Sequence, residues 1–104
     1  MNLPDACTLP TAERPLRLAE FDDLFATSLR NQQRMSPTAL RWELDPAAEA
    51  TARDLTRRES ECCSFFTFTF APGPAMLRLD VAVPATQVEV LDALSERAAA
   101  GIRP

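Results

Sequence analysis

From Leu77 to Val83 every second residue is a large aliphatic one. Leu77, Leu79, Val81 and Val83 alternate with Arg78, Asp80 and Ala82. A period of two is the mark of an extended strand with one face in a core and the other towards water. The same period recurs where Phe66, Phe68 and Phe70 alternate with Thr67 and Thr69, and where Leu40, Trp42 and Leu44 alternate with Arg41 and Glu43. A chain that repeats this period three times has to build a sheet, and the connectors decide which one. The stretch Ala71-Pro72-Gly73-Pro74-Ala75 supplies a turn between the phenylalanine strand and the leucine strand. Ser36-Pro37-Thr38 does the same between Leu40–Leu44 and the more weakly alternating Leu29–Met35. Two hairpins follow, and the polar Leu29–Met35 strand belongs near a sheet edge.

Between the strands the period changes. Leu18, Phe21, Leu24 and Phe25 fall at helical spacing, which predicts a helix over 16–28. Asp45-Pro46 is a capping carboxylate followed by proline at a first helical position, so a second helix runs from 46 to 62. Its inward stripe reads Ala48, Ala52, Leu55, Glu59, Cys62. Val88, Leu91 and Leu94 line a last helix closed by Gly101. Residues 1–15 hold Pro4, Pro10 and Pro15 without periodicity and read as an irregular arm. The expectation is one α+β domain over 1–104 in the order helix, hairpin, helix, hairpin, helix. Its four-stranded antiparallel sheet carries helices mainly on one face.

Composition matters chiefly through what is missing. The 104 residues include no His, no Lys and no Tyr. Without His there is no imidazole metal ligand and no Ser-His or Cys-His dyad within the chain. Without Lys there is neither Schiff-base chemistry nor a P-loop. Eleven basic residues against fifteen acidic ones give a formal charge of −4, and no basic cluster exceeds Arg57-Arg58, which argues against a nucleic-acid partner. No apolar run approaches the ~20 residues that span a bilayer, and the first residues lack the pattern of an export signal. The expected compartment is the reducing cytoplasm, where three cysteines stay as free thiols or hold a ligand.

Two of those cysteines are adjacent. Successive residues on a helix diverge by ~100°, so Cys62 and Cys63 cannot both face one point from mid-helix. At a last turn, where the backbone leaves helical geometry, they can converge on one ion. Glu59 precedes them by three and four positions and shares their face. Phe65 and Phe66 follow and would lower the local dielectric. If the arm folds across this helix end, Cys7 completes a set of three thiolates. Such a set suits Hg(II), As(III), Cu(I) or Cd(II), and suits Zn(II) less for want of a fourth ligand. Arg14, Arg57 or Arg58 could lower the thiol pKa values, while Glu59 and Glu61 oppose this unless they accept the released protons.

The segment "RRESECCSFFTFTF" with "LRLDV" after it, and "ACTLP" near the start, resembles a group of small, poorly characterised bacterial proteins. These share a Glu-x-x-Cys-Cys-x-Phe motif before a strand and a cysteine close to the N-terminus. The resemblance rests on Cys7, Glu59, Cys62, Cys63 and Phe65 or Phe66. It implies a heavy-metal context, because such proteins are often encoded beside mercury and other metal-resistance genes. Many of that group have Pro after the cysteine pair, where this chain has Ser64.

Three functions stay open at this point. The first is capture or detoxification of a soft metal ion through Cys7, Cys62 and Cys63, with Glu59 as proton acceptor or orienting group. The second is an enzyme acting on an organometal or disulfide bond, with Glu59 or Glu61 as the acid. The third is a structural or interaction domain whose cysteines pack a core, since free Cys is among the most buried residue types. The polar Leu29–Met35 strand would then offer an edge to a second subunit.

Overall fold

The computed structural model describes residues 14–62 and 65–102. Along the chain these form α1 (Arg14–Ser28), β1 (Leu29–Ser36), β2 (Ala39–Leu44), α2 (Glu49–Cys62), β3 (Thr67–Pro72), β4 (Leu77–Ala82) and α3 (Val88–Gly101). Single 3-10 turns at Pro46–Ala48 and Ala85–Gln87 lead into α2 and α3. The class is α+β: a four-stranded antiparallel sheet with three helices.

In space the strands are ordered β1-β2-β4-β3, so the two hairpins join through β2 and β4 and leave β1 and β3 at the edges. That order puts the most apolar alternation at the centre, where both neighbours complete the hydrogen-bond ladder. One cross-strand row runs Gln32, Trp42, Leu79, Phe70. Because partners in register share a face, these four side chains lie on the same side of the sheet. Phe25 of α1 packs edge-on against Trp42 at 5.0 Å between ring centroids. Arg53 of α2 stands 4.4 Å above the Phe70 ring. The Ser95 carbonyl of α3 accepts a hydrogen bond from Gln32 Nε2 at 3.1 Å. The core gathers around this row, with Leu40, Leu44, Leu77, Val81, Leu55 and Leu91 all buried.

β1 is the least apolar strand, with Leu29 as its one buried residue. Gln32, half-buried, is there to serve the tryptophan: its Oε1 accepts from Trp42 Nε1 at 2.7 Å. A buried indole N–H without a partner would cost about 1–3 kcal/mol, so a polar residue at this inward position is the stable choice.

Four expectations shift in detail. The first helix starts at Arg14 rather than 16, taking Pro15 into its first turn, where a missing N–H costs nothing. Asp45 does cap, its Oδ1 accepting from the Ala47 N–H at 2.9 Å, but the turn it caps is the 3-10 segment, and α2 proper begins at Glu49. β3 starts one residue after Phe66 and extends to Pro72; as an edge strand it leaves Phe68 and Phe70 half-buried instead of enclosed. Gly101 does not terminate α3 in a left-handed conformation. It is the last helical residue, and the cap is Ile102, whose N–H reaches the carbonyls of Ala98 and Ala99. Glycine is required there for another reason: a Cβ on residue 101 would lie 2.6 Å from the Phe25 Cβ of α1.

Candidate functional site

α2 lies on the sheet through small residues. Ala48, Ala52 and Leu55 are buried, and Thr56 beside them is buried as well. The Thr56 hydroxyl donates to the Ala52 carbonyl at 2.8 Å, so its polar atom is satisfied within its own helix. Glu49 and Arg53, one turn apart, pair at 2.8 Å, which holds the Arg53 guanidinium over the Phe70 ring at the β3 edge.

The second half of α2 is charged and cross-linked. Arg57 bonds Asp54 at 2.7 Å and Glu61 at 3.2 Å, on either side along the helix. Arg58 bonds Asp54 at 3.0 Å and reaches across to α1, where both of its terminal nitrogens meet the Glu20 carboxylate, at 2.5 and 3.1 Å. The hydrogen bond from Arg57 is the main cause that holds the Asp54 carboxyl below its usual pKa. The bond to Glu20 pushes Arg58 up, and those to Asp54 and Glu61 push Arg57 up. Each guanidinium is thus already neutralised by carboxylates. As sources of positive potential for a nearby thiol, Arg57 and Arg58 are weaker than two free arginines would be.

The chain re-enters the core just past the helix. Phe66 is buried; Phe65 is half-buried against it, with ring centroids 4.8 Å apart. Phe66 stacks in turn on Phe68 at 5.3 Å and 23° between planes. Two residues, Cys63 and Ser64, join the last residue of α2 to this aromatic cluster. Leu55 and Thr56, earlier in α2, and Phe66, after the link, are buried.

Of the residues singled out from sequence, Cys62 is the last residue of α2. Glu59 stands nearly one turn before it and is half-buried. Cys7, Cys63 and the Cys62 side chain lie outside the described part of the molecule, as does nearly all of the 1–15 arm. Among the described residues no three Cys, Asp or Glu side chains are grouped to hold a metal ion. Nor is any described helix long and apolar enough to cross a membrane.

Residues that periodicity did not single out take part in the surroundings. Glu20 reaches Arg58 from 38 positions away, and Asp22 bonds Arg97 in two places, at 2.6 and 3.0 Å, from 75 positions away. Beside that second pair an open groove between α1 and α3 is floored by Ala26, Ala93, Ala100 and Gly101. No local pattern marks such pairs, because each depends on where two helices come to rest. Compared with known proteins, the chain matches no family model, no curated protein and no solved structure.

Proposed function

We propose that this chain is a cytoplasmic protein that captures or detoxifies a soft metal ion of the Hg(II) type, with Cys62, Cys63 and Cys7 as the thiolate ligands. Support comes from one position above all: α2 is described as far as Cys62 and the chain is in a turn by Phe65, so the adjacent pair lies close to the end of α2. Mid-helix, ~100° between neighbours would send two adjacent thiols apart; near the end of a helix that constraint is weaker. The Phe65–Phe66–Phe68 cluster gives the site an apolar flank, in keeping with a soft, weakly hydrated ion.

Glu59 serves as proton acceptor for the thiols or as the group that orients them. Arg57 and Arg58 act through the carboxylates they hold and not as direct partners of the thiolates. The helices α1, α2 and α3 share one face of the sheet, a placement supported by the contacts of Phe25, Arg53 and Ser95 with the Trp42 row.

The test is a titration of the fully reduced protein with Hg(II), read by ultraviolet thiolate-to-metal absorption and native mass, beside a Cys62→Ser/Cys63→Ser double variant. One tight equivalent per chain that vanishes in the double variant is expected. Equal binding by both proteins, or none by either, would refute the assignment. Glu59→Gln separates capture from turnover: binding survives it, whereas protonolysis of an organomercurial would collapse.

A further inference from the structure

The sheet has two edges, and they are built differently. Along β1 the register slips between Leu29 and Asn31 and again between Arg34 and Ser36. An arginine stands at each irregularity. Arg30 donates to the Thr27 carbonyl and pairs with Asp45; Arg34 donates to the Ser36 and Pro37 carbonyls and pairs with Asp92. Irregular register and fixed charge are the means by which natural sheets keep an edge from pairing with another strand.

β3 has neither. It pairs with β4 through six consecutive partners, from Thr67–Ala82 to Pro72–Leu77, without a slip. Its sequence, TFTFAP, contains no charge. Thr67 and Thr69 are exposed, and Phe68 and Phe70 remain half-buried although they pack against the core. Among the described residues no strand lies beyond it. An edge that is regular, uncharged, rich in threonine and phenylalanine and backed by half-exposed rings is a template for another strand.

We propose that β3 is a self-association edge, on which the β3 of a second copy of this chain adds antiparallel to make a continuous eight-stranded sheet. Symmetry and pleat together set the register. Isologous pairing places a two-fold axis perpendicular to the sheet. Directly opposed residues must point to the same face, so the numbers of each pair sum to an even value. An axis through Thr69 satisfies this. It opposes Thr69 to the Thr69 of the second copy, Phe68 to Phe70, and Thr67 to Ala71, and it leaves Pro72, which has no N–H to give, outside the ladder. The pairing covers the half-exposed Phe68 and Phe70 rings of each copy with those of the other.

Charge favours this occupant as well. Within the sheet the nearest charged side chains are Arg78 and Asp80 on β4, one strand further in, and above the edge Arg53 of α2 stands 4.4 Å over the Phe70 ring in an ion pair with Glu49. Across the seam, like charges within the sheet are separated by at least three strand spacings, about 14 Å, which exceeds the Debye length of about 8 Å at physiological salt, and each copy brings Arg53 there as half of an Arg–Glu pair without net charge. The chain's net negative charge therefore does not oppose contact at this edge. A ladder five residues long covers less than the roughly 1,200 Å² of a stable interface. Association is accordingly weak, with a dissociation constant between about 10 μM and about 1 mM.

Sedimentation velocity of the full reduced chain, from about 5 μM to about 1 mM, together with amide hydrogen exchange at both ends of that range, tests the proposal. A monomer–dimer equilibrium is expected, with β3 amides that gain protection as concentration rises. Thr69→Lys sets two ammonium groups against each other on the axis, on an exposed face where folding is not at stake. It should weaken the dimer by about tenfold or more. Arg34→Thr, on the other edge, should leave the constant unchanged. A monomer throughout the range would overturn the proposal, as would a dimer indifferent to Thr69→Lys. So would β3 amides already protected at the lowest concentration, which would mean that the chain covers its own edge.

Discussion

Replacing Gly101 by alanine isolates the contact that most tightly sets α3 against α1. An ideal Cβ at this position lies 2.6 Å from the Phe25 Cβ and 3.2 Å from the Phe25 backbone carbon. Carbon atoms in contact sit at about 3.5–4.0 Å, so the two helices must separate by about 1 Å or the last turn of α3 must unwind. Neither is easy, because the atoms in the way belong to a Cβ and to backbone, which have no rotamer to change. Overpacking of this kind costs about 1–3 kcal/mol. Against it stands the better helix propensity of alanine, at most about 1 kcal/mol and less at a final helical residue. The net expectation is a loss of about 1–2 kcal/mol, which for a domain of this size lowers Tm by about 5–15 °C. Urea unfolding followed by Trp42 fluorescence is a fitting assay, since Phe25 packs edge-on against that indole and a shift of α1 alters its surroundings. Ala100→Gly, at the exposed position next to it, calibrates the propensity effect alone. If Gly101→Ala stabilises the protein by the amount that Ala100→Gly destabilises it, the close approach of α1 and α3 is not real and the reasoning fails.

Two further outcomes follow from the polar contacts. Gln32→Ala should cost about 1–3 kcal/mol by stripping the Trp42 indole of its acceptor. In a double-mutant cycle with Trp42→Phe it should couple by at least about 0.5 kcal/mol, so strictly additive effects would mean that the 2.7 Å bond does not form in solution. Asp54 sets the acid limb of stability. Its carboxyl is held below the unfolded value by Arg57, so its contribution is present above about pH 4 and is lost as the pH falls through the lower, folded value. Arg57 and Arg58 are raised instead, which places their loss beyond ordinary alkaline pH. Thermal melts from about pH 2 to about pH 6 should therefore fall more gently for Asp54→Asn than for the parent protein, and superimposable acid limbs would remove Asp54 from the account.

The alternations at Leu40–Leu44, Phe66–Phe70 and Leu77–Val83 were enough to call an antiparallel sheet, because side chains of an extended backbone point to alternate faces wherever the strand lies. The helix starting near Asp45-Pro46 was legible for a like reason, since a cap and a proline act within one turn. The proposed site was readable only as a local pattern, an adjacent cysteine pair next to a switch from helical to strand period; α2 is described as far as Cys62, and Cys63 and Cys7 lie outside the described residues. How Cys7 relates to that end is a question about the fold of the chain as a whole, which no spacing along the sequence contains.

Gly101 shows where local reading stops. A glycine at the end of an apolar helical stripe looks like a left-handed terminator, yet its purpose is to let Phe25, 76 residues earlier, approach. Within the polar Leu29–Met35 strand nothing local marks Gln32, which the register sets opposite Trp42. Glu20 and Arg58 carry no mark of each other, and while the polarity of β1 already pointed to an edge, β3 became the other edge only when β2 paired with β4. The sequence by itself determined the elements and which face of each is apolar, because those depend on backbone geometry repeated every two or 3.6 residues. Tertiary structure decided strand order, edge character, the helix-to-helix ion pairs and the positions where a side chain has no room. These arise between segments far apart in the chain, and pairing and packing energies settle them only when the segments meet.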